Sequence, residues 1–140
     1  MAEESTTPDL MELAQRRVDA ADSGDVDAMV SFFASDAIWD STSMGFEVYE
    51  GKAAIRRFFE NWWRPYEQWE ADAEEILDLG SGVTFTVLIF NARPAGSDGV
   101  VRFRYAAVTE WAEGAVARDT NYLDIDEARA AAERLAEEGR

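Results

Sequence analysis

The feature that most constrains this chain is a change of hydrophobic period at Pro65. Before it, apolar residues recur at helical spacing; after it, they alternate in twos. Thr7-Pro8-Asp9 reads as an N-cap, a proline at the first helical position and an acid on the positive helix end. Leu10, Leu13, Ala14, Val18 and Ala21 keep the helical period until Ser23-Gly24 stops it. Asp25 caps a second helix with Val26, Met29, Val30 and Phe33 on one stripe. A short strand follows at 37–40, and 41–50, which lacks periodicity and contains Gly45, reads as a loop. A third helix from Gly51 sets Ala54, Ile55, Phe58, Phe59, Trp62 and Tyr66 on one face, and Pro65 should end or kink it.

Past Pro65, strands are expected at 69–79, 83–92, 100–111 and 115–123, joined by Gly80-Ser81-Gly82, the stretch 95–99 and Glu113-Gly114. Short turns between long strands imply an antiparallel meander. A last helix at 126–138 has only the weak apolar face of Ala128, Ala131, Ala132 and Leu135, so it should be peripheral or swapped. A long meander twists and curls, and three helices placed before it can cover its concave face. The expected fold is therefore α+β: a cone-shaped roll, its curved antiparallel or mixed sheet covered by three N-terminal helices, with a C-terminal helix added. No repeat or linker divides the chain, so 1–140 is one domain, with 1–8 expected to be flexible.

Charge and missing residue types narrow the function. With 29 acidic against 13 basic residues the formal charge is -16, which repels nucleic-acid backbones and anionic membranes. Apolar runs such as 83–90 are too short to span a bilayer, and Glu3 and Glu4 stand where a leader would be basic, so a cytoplasmic location is expected. There is no cysteine and no histidine, which removes the thiolate nucleophile, the commonest general base and the commonest metal ligands. No phosphate-binding glycine loop occurs, and no spacing gathers three oxygen ligands. Neither a cofactor nor a metal is expected.

The element order, together with SGDVDAMVSFFASDAIWD, YEGKAAIRRFFENWW and WAEGAVARDTNYLD, resembles the SnoaL-like branch of the nuclear transport factor 2-like superfamily over nearly the whole chain. The resemblance implies a cone fold and a homodimer formed through the outer sheet face. It does not imply one activity, since the superfamily spans isomerases, cyclases, epoxide hydrolases, dehydratases and proteins without known activity. Against the ketosteroid isomerase pattern, the oxyanion-hole tyrosine falls at Arg17, the general-base aspartate near Ser41 and the protonated aspartate at Ala107. Against the limonene epoxide hydrolase pattern, the Arg and Asp fall near Thr86 and Leu88 and the last Asp at Asn121. Both triads are absent in this matching, although a shift of one or two residues restores Asp40 or Asp119 to a site position.

Strand alternation turns Phe103, Tyr105, Ala107 and Thr109 into the cone, with Ala117, Asp119 and Asn121 facing inward on the last strand. A carboxylate there loses hydration, so Asp119 is one candidate acid or base, or else a solvated residue beside Arg118. Asp40, next to Trp39 at the expected cone mouth, is the other, or else a cap for the loop behind it. Tyr105 could donate to an oxyanion or be core packing; Asn121 would orient a ligand. Arg17 either faces ligand or pairs with Asp40 or Asp119. Trp62, Trp63, Tyr66 and Trp69 form an aromatic wall for a flat ligand or ordinary core, with Phe103 and Trp39 adding to the lining. These residues suggest a pocket for a small, mainly apolar organic molecule, with cofactor-free acid–base chemistry of the isomerase, cyclase or hydratase type. The alternatives are a non-catalytic homodimeric carrier or dimerisation module, or a cone filled by its own Trp and Phe side chains.

Overall fold

A computed structural model describes residues 9–139. Helix α1 spans Leu10–Ser23, and Asp9 itself is the cap, its carboxylate accepting from the backbone N–H groups of Met11 and Glu12. The expected roles of Thr7 and Pro8, and the expected flexibility of 1–8, fall outside the described residues. Gly24 closes α1 at φ +73°, where a Cβ would run into the Trp69 ring; both the backbone and the space demand glycine.

Helix α2, Val26–Val30 under its Asp25 cap, is shorter than the apolar stripe suggested. Phe33 instead opens strand β1, Phe33–Asp40, because the backbone there is taken into the sheet: Phe33 registers with Val116, whose N–H donates to the Phe32 carbonyl at 2.8 Å. Tertiary pairing has overridden local period. The stretch read as a loop holds a 3-10 turn, Thr42–Met44, and a short strand β2, Val48–Glu50, antiparallel to β1. Helix α3, Lys52–Trp63, stops before Pro65, and Tyr66 begins strand β3 instead of extending the helical face. Arg64 keeps helical backbone angles, and the helix ends because Pro65 has no N–H to continue the hydrogen-bond ladder.

Strands β3 (Tyr66–Gly80), β4 (Val83–Pro94), β5 (Val101–Ala112) and β6 (Ala115–Tyr122) form the expected antiparallel meander. β6 then runs parallel to β1, giving one six-stranded mixed sheet in the order β2-β1-β6-β5-β4-β3. Three register shifts along β3 and one between β5 and β6 add bend and twist, curling the sheet round α1 to α3. The shift between β5 and β6 alters a facing. Glu110 registers with Arg118 and Trp111 with Val116, so Ala117 has no partner on β5. Val116, not Ala117, joins the helix-side core with Phe33 and Trp111, while Asp119 and Asn121 keep the inward facing.

The two faces of β5 carry different cores. Tyr105 and Ala107 face the helices, whereas Ala106 and Val108 pack beneath helix α4, Ile125–Glu138. Ala128 and Ala132 on α4 are fully buried against Phe85, Val87 and Val108, so small side chains let the helix lie close on the outer face. The alanine stripe that looked weak in sequence is a close contact with β4 and β5 of the same chain. It covers part of the face that the resemblance gives to a second copy. Among the described residues, no helix is long and apolar enough to cross a membrane.

Candidate functional site

On the concave side, β5, β6 and α1 bring three polar groups together. Arg17 donates from Nη2 to Asp119 Oδ2 at 2.7 Å and from Nη1 to Thr109 Oγ1 at 3.3 Å. Thr109 Oγ1 in turn donates to Asp119 Oδ1 at 2.7 Å. Asp119 is 1% exposed, and a carboxylate in that position requires such partners. The guanidinium also lies 5.1 Å from the Phe33 ring centre and 5.9 Å from that of Trp111. Arg17 thus pairs with Asp119 and not with Asp40, and both residues line the same cavity.

That cavity measures about 60 Å³, and a second of about 40 Å³ adjoins it, sharing Trp39, Phe59, Trp63, Leu88 and Tyr105 as common walls. Both fall far below the ~300–1,000 Å³ of drug-sized sites. The reason is aromatic filling: Phe59 sits 5.0 Å from Trp39, Phe58 5.9 Å from Trp62, and Trp62 stacks on Phe103 at 5.2 Å. The first cavity is polar at its Arg17–Asp119 end. The second is bounded by Phe46, Phe58, Trp62 and Phe90, with Met44 and Phe46 supplied by the 41–47 segment. A larger depression, about 500 Å³, is an open exterior groove carrying Asp22, Glu67 and Glu70.

Tyr105 lines both cavities, so part of its surface stays accessible although protein surrounds it. Burial, helped by the Asp119 charge and opposed by Arg17, pushes its phenol up to about 12. It is neutral across the physiological range and therefore a hydrogen-bond donor. Asn121, 1% exposed, lines the first cavity and reaches Ser41 Oγ with Nδ2 at a long 3.5 Å. Trp39 borders both cavities, Trp62 the second, and Phe103 backs Trp62.

Asp40 and Tyr66 are not brought to these cavities. Asp40 alternates with the inward Trp39, so it takes the opposite facing; its Oδ1 accepts from the Thr42 N–H and hydroxyl at 3.0 and 2.7 Å, and its Oδ2 from Arg118 at 3.0 Å. Tyr66 lies edge-on to Phe90 at the open end of the sheet. Trp69 packs over Gly24 and against Trp63. Sequence reasoning did not single out Phe46, and met Ser41 only as the position near which the ketosteroid isomerase pattern sets its general-base aspartate; both lie in a segment with no period to read. It did turn Thr109 inward, without anticipating that its hydroxyl would bridge Arg17 and Asp119.

The Asp40 contacts make a prediction. Burial raises its carboxyl, but Thr42 and the Arg118 guanidinium together outweigh this and hold it below its ordinary value of 3.8. A carboxyl depressed in the folded state adds stability above its unfolded value, and that share is lost as the pH falls below 3.8 toward the folded value. Asp40→Asn is expected to be less stable than the parent near neutrality and to converge on it in acid. Denaturant midpoints measured against pH check this, and parallel curves would remove the argument.

Comparison with known proteins agrees with the geometry. A hypothetical protein with a ketosteroid isomerase-like fold from Catenulispora acidiphila DSM 44928, solved in complex with trimethylamine, superposes with a TM-score of 0.71 at 14% identity, over 89% of this chain and 92% of that one. An uncharacterized cystatin fold protein from Novosphingobium aromaticivorans superposes at 0.70 with 22% identity, over 82% of this chain and 98% of that one. No curated protein matches the sequence. At these identities the structures share a fold and nothing finer. The family model described as the SnoaL-like domain matches residues 14–119, most of the chain. With helices over a curled mixed sheet and an inward Asp on its last strand, the chain belongs to the SnoaL-like domain family, within the nuclear transport factor 2-like superfamily.

Proposed function

We propose that this chain binds a small, mainly apolar organic molecule in the cone and moves a proton on it without a cofactor, as an isomerase, cyclase or hydratase does. The observation that carries this is the Arg17–Asp119–Thr109 cluster at one end of a mainly apolar cavity, with the Tyr105 phenol in the same walls. Asp119 takes the proton, Arg17 fixes the carboxylate, and Tyr105 donates to the oxygen on which charge develops. Among the described residues nothing else bonds the Tyr105 hydroxyl, so it is free for that role.

A second reading, a carrier that binds without turnover, is favoured by one feature: both Asp119 oxygens are already bonded, which weakens a base. Native mass spectrometry of freshly purified protein would identify a co-purified guest. Incubating that guest with protein in deuterated water then separates the two readings. Proton exchange at a carbon of the guest, slowed about 10²–10⁴-fold by Asp119→Asn, is expected for the enzyme. Tight binding with no exchange would leave the carrier standing.

A further inference from the structure

Three buried side-chain polar atoms among the described residues have no hydrogen-bond partner: the indole N–H groups of Trp39 and Trp63 and the Oδ1 of Asn121. All three residues line the first cavity, and Trp39 and Asn121 are 8% and 1% exposed. Buried polar groups are nearly always paired, so three orphans around one cavity call for a missing partner. Two are donors and one is an acceptor. A group that serves both kinds gives one hydrogen bond and takes another, as a hydroxyl does and a hydrocarbon, carboxylate or ammonium does not.

Charge points the same way. The charged groups in the walls of the two cavities are Arg17 and Asp119, and they neutralise each other at 2.7 Å. An ionic guest would surrender its hydration with no free counter-charge to meet it. The second cavity adds the shape requirement, because Phe58, Trp62 and Phe90 bound it and Phe46 closes it edge-on to Phe58 and Trp62 at 5.7 and 5.5 Å. Such walls suit a flat apolar body.

We infer that the guest is a neutral, hydroxyl-bearing molecule with a flat apolar body, its hydroxyl directed to Asn121 and the tryptophan N–H groups and its body directed to the Phe58–Trp62–Phe90 end beneath Phe46. This rests on the binding function proposed above. The body displaces Phe46 and the 41–47 segment as it enters, since the cavities at about 60 and 40 Å³ are smaller than a ring needs.

Four probes of nearly equal size test it at neutral pH: benzyl alcohol, ethylbenzene, benzoate and benzylammonium. The indole N–H signals in proton–nitrogen NMR spectra of the full chain report binding. Benzyl alcohol is expected to shift the Trp39 and Trp63 signals and to bind about tenfold more tightly than ethylbenzene, while neither ion shifts them. Asn121→Leu should bring the two neutral probes within about twofold of each other. Ethylbenzene binding as tightly as the alcohol, or either ion binding best, overturns the inference and leaves the pocket function intact. Failure of all four to move any cavity signal at saturation overturns both. The comparison among probes in the unaltered protein stands whether or not the Asn121 variant folds.

Discussion

Arg17→Met is expected to cost about 3–5 kcal/mol of stability, because it strands the Asp119 carboxylate in a site where water scarcely reaches it. For a chain of this length that is a fall in Tm of roughly 10–20 °C. Methionine keeps an apolar side chain over Phe33 and Trp111, so the loss reports charge more than volume. Neutralising the survivor should repair it: Arg17→Met with Asp119→Asn is expected to recover most of the loss, giving a large coupling term in a double-mutant cycle. Thermal unfolding of the four proteins checks this. A single Arg17→Met variant within about 1 kcal/mol of the parent would mean that the carboxylate finds water or another partner, and the polar end of the cavity would need redrawing.

Phe59→Ala is expected to be as damaging for the opposite reason. Its ring, 4% exposed, stands 5.0 Å from Trp39, 5.9 Å from Trp63 and 6.0 Å from Phe33, so truncation opens a void among large rigid neighbours and costs about 3–5 kcal/mol. Phe46→Ala, at a ring 39% exposed, should cost less than about 1 kcal/mol. Urea titration distinguishes the two variants through their midpoints. The reverse order would place the stabilising aromatic contacts at the rim and not in the interior. Phe59 also walls both cavities, so its variant should admit larger guests while Phe46→Ala should admit the same guests faster.

The period change at Pro65 was enough to foresee the meander, since alternation needs only the two-residue repeat of an extended chain. Boundaries moved where pairing partners lay far away in sequence: Phe33 is claimed by Val116, and neither position advertises the other. The inward facing of Asp119 was legible by counting, but the Ala117 bulge was not, because an extra residue leaves no mark in a hydrophobic pattern. Asp40 was ambiguous for a chemical reason. Asp before Ser-Thr-Ser serves equally as a cap or an exposed carboxylate, and only the neighbouring strand, carrying Arg118, decides which. Cavity size was beyond reach, since the same aromatic residues can line a hollow or fill it.

The parallel seam between β1 and β6 ties residues 33–40 to residues 115–122. A growing polypeptide leaves the ribosome with β1 matched only to the three-residue β2, and the β1 edge carrying Phe33 and Trp39 waits unpaired until β6 arrives. Closure of so distant a seam is slow, and the interval exposes just those rings most prone to association. Nascent chains halted before residue 115 should therefore engage chaperones, and release should coincide with emergence of the final strand.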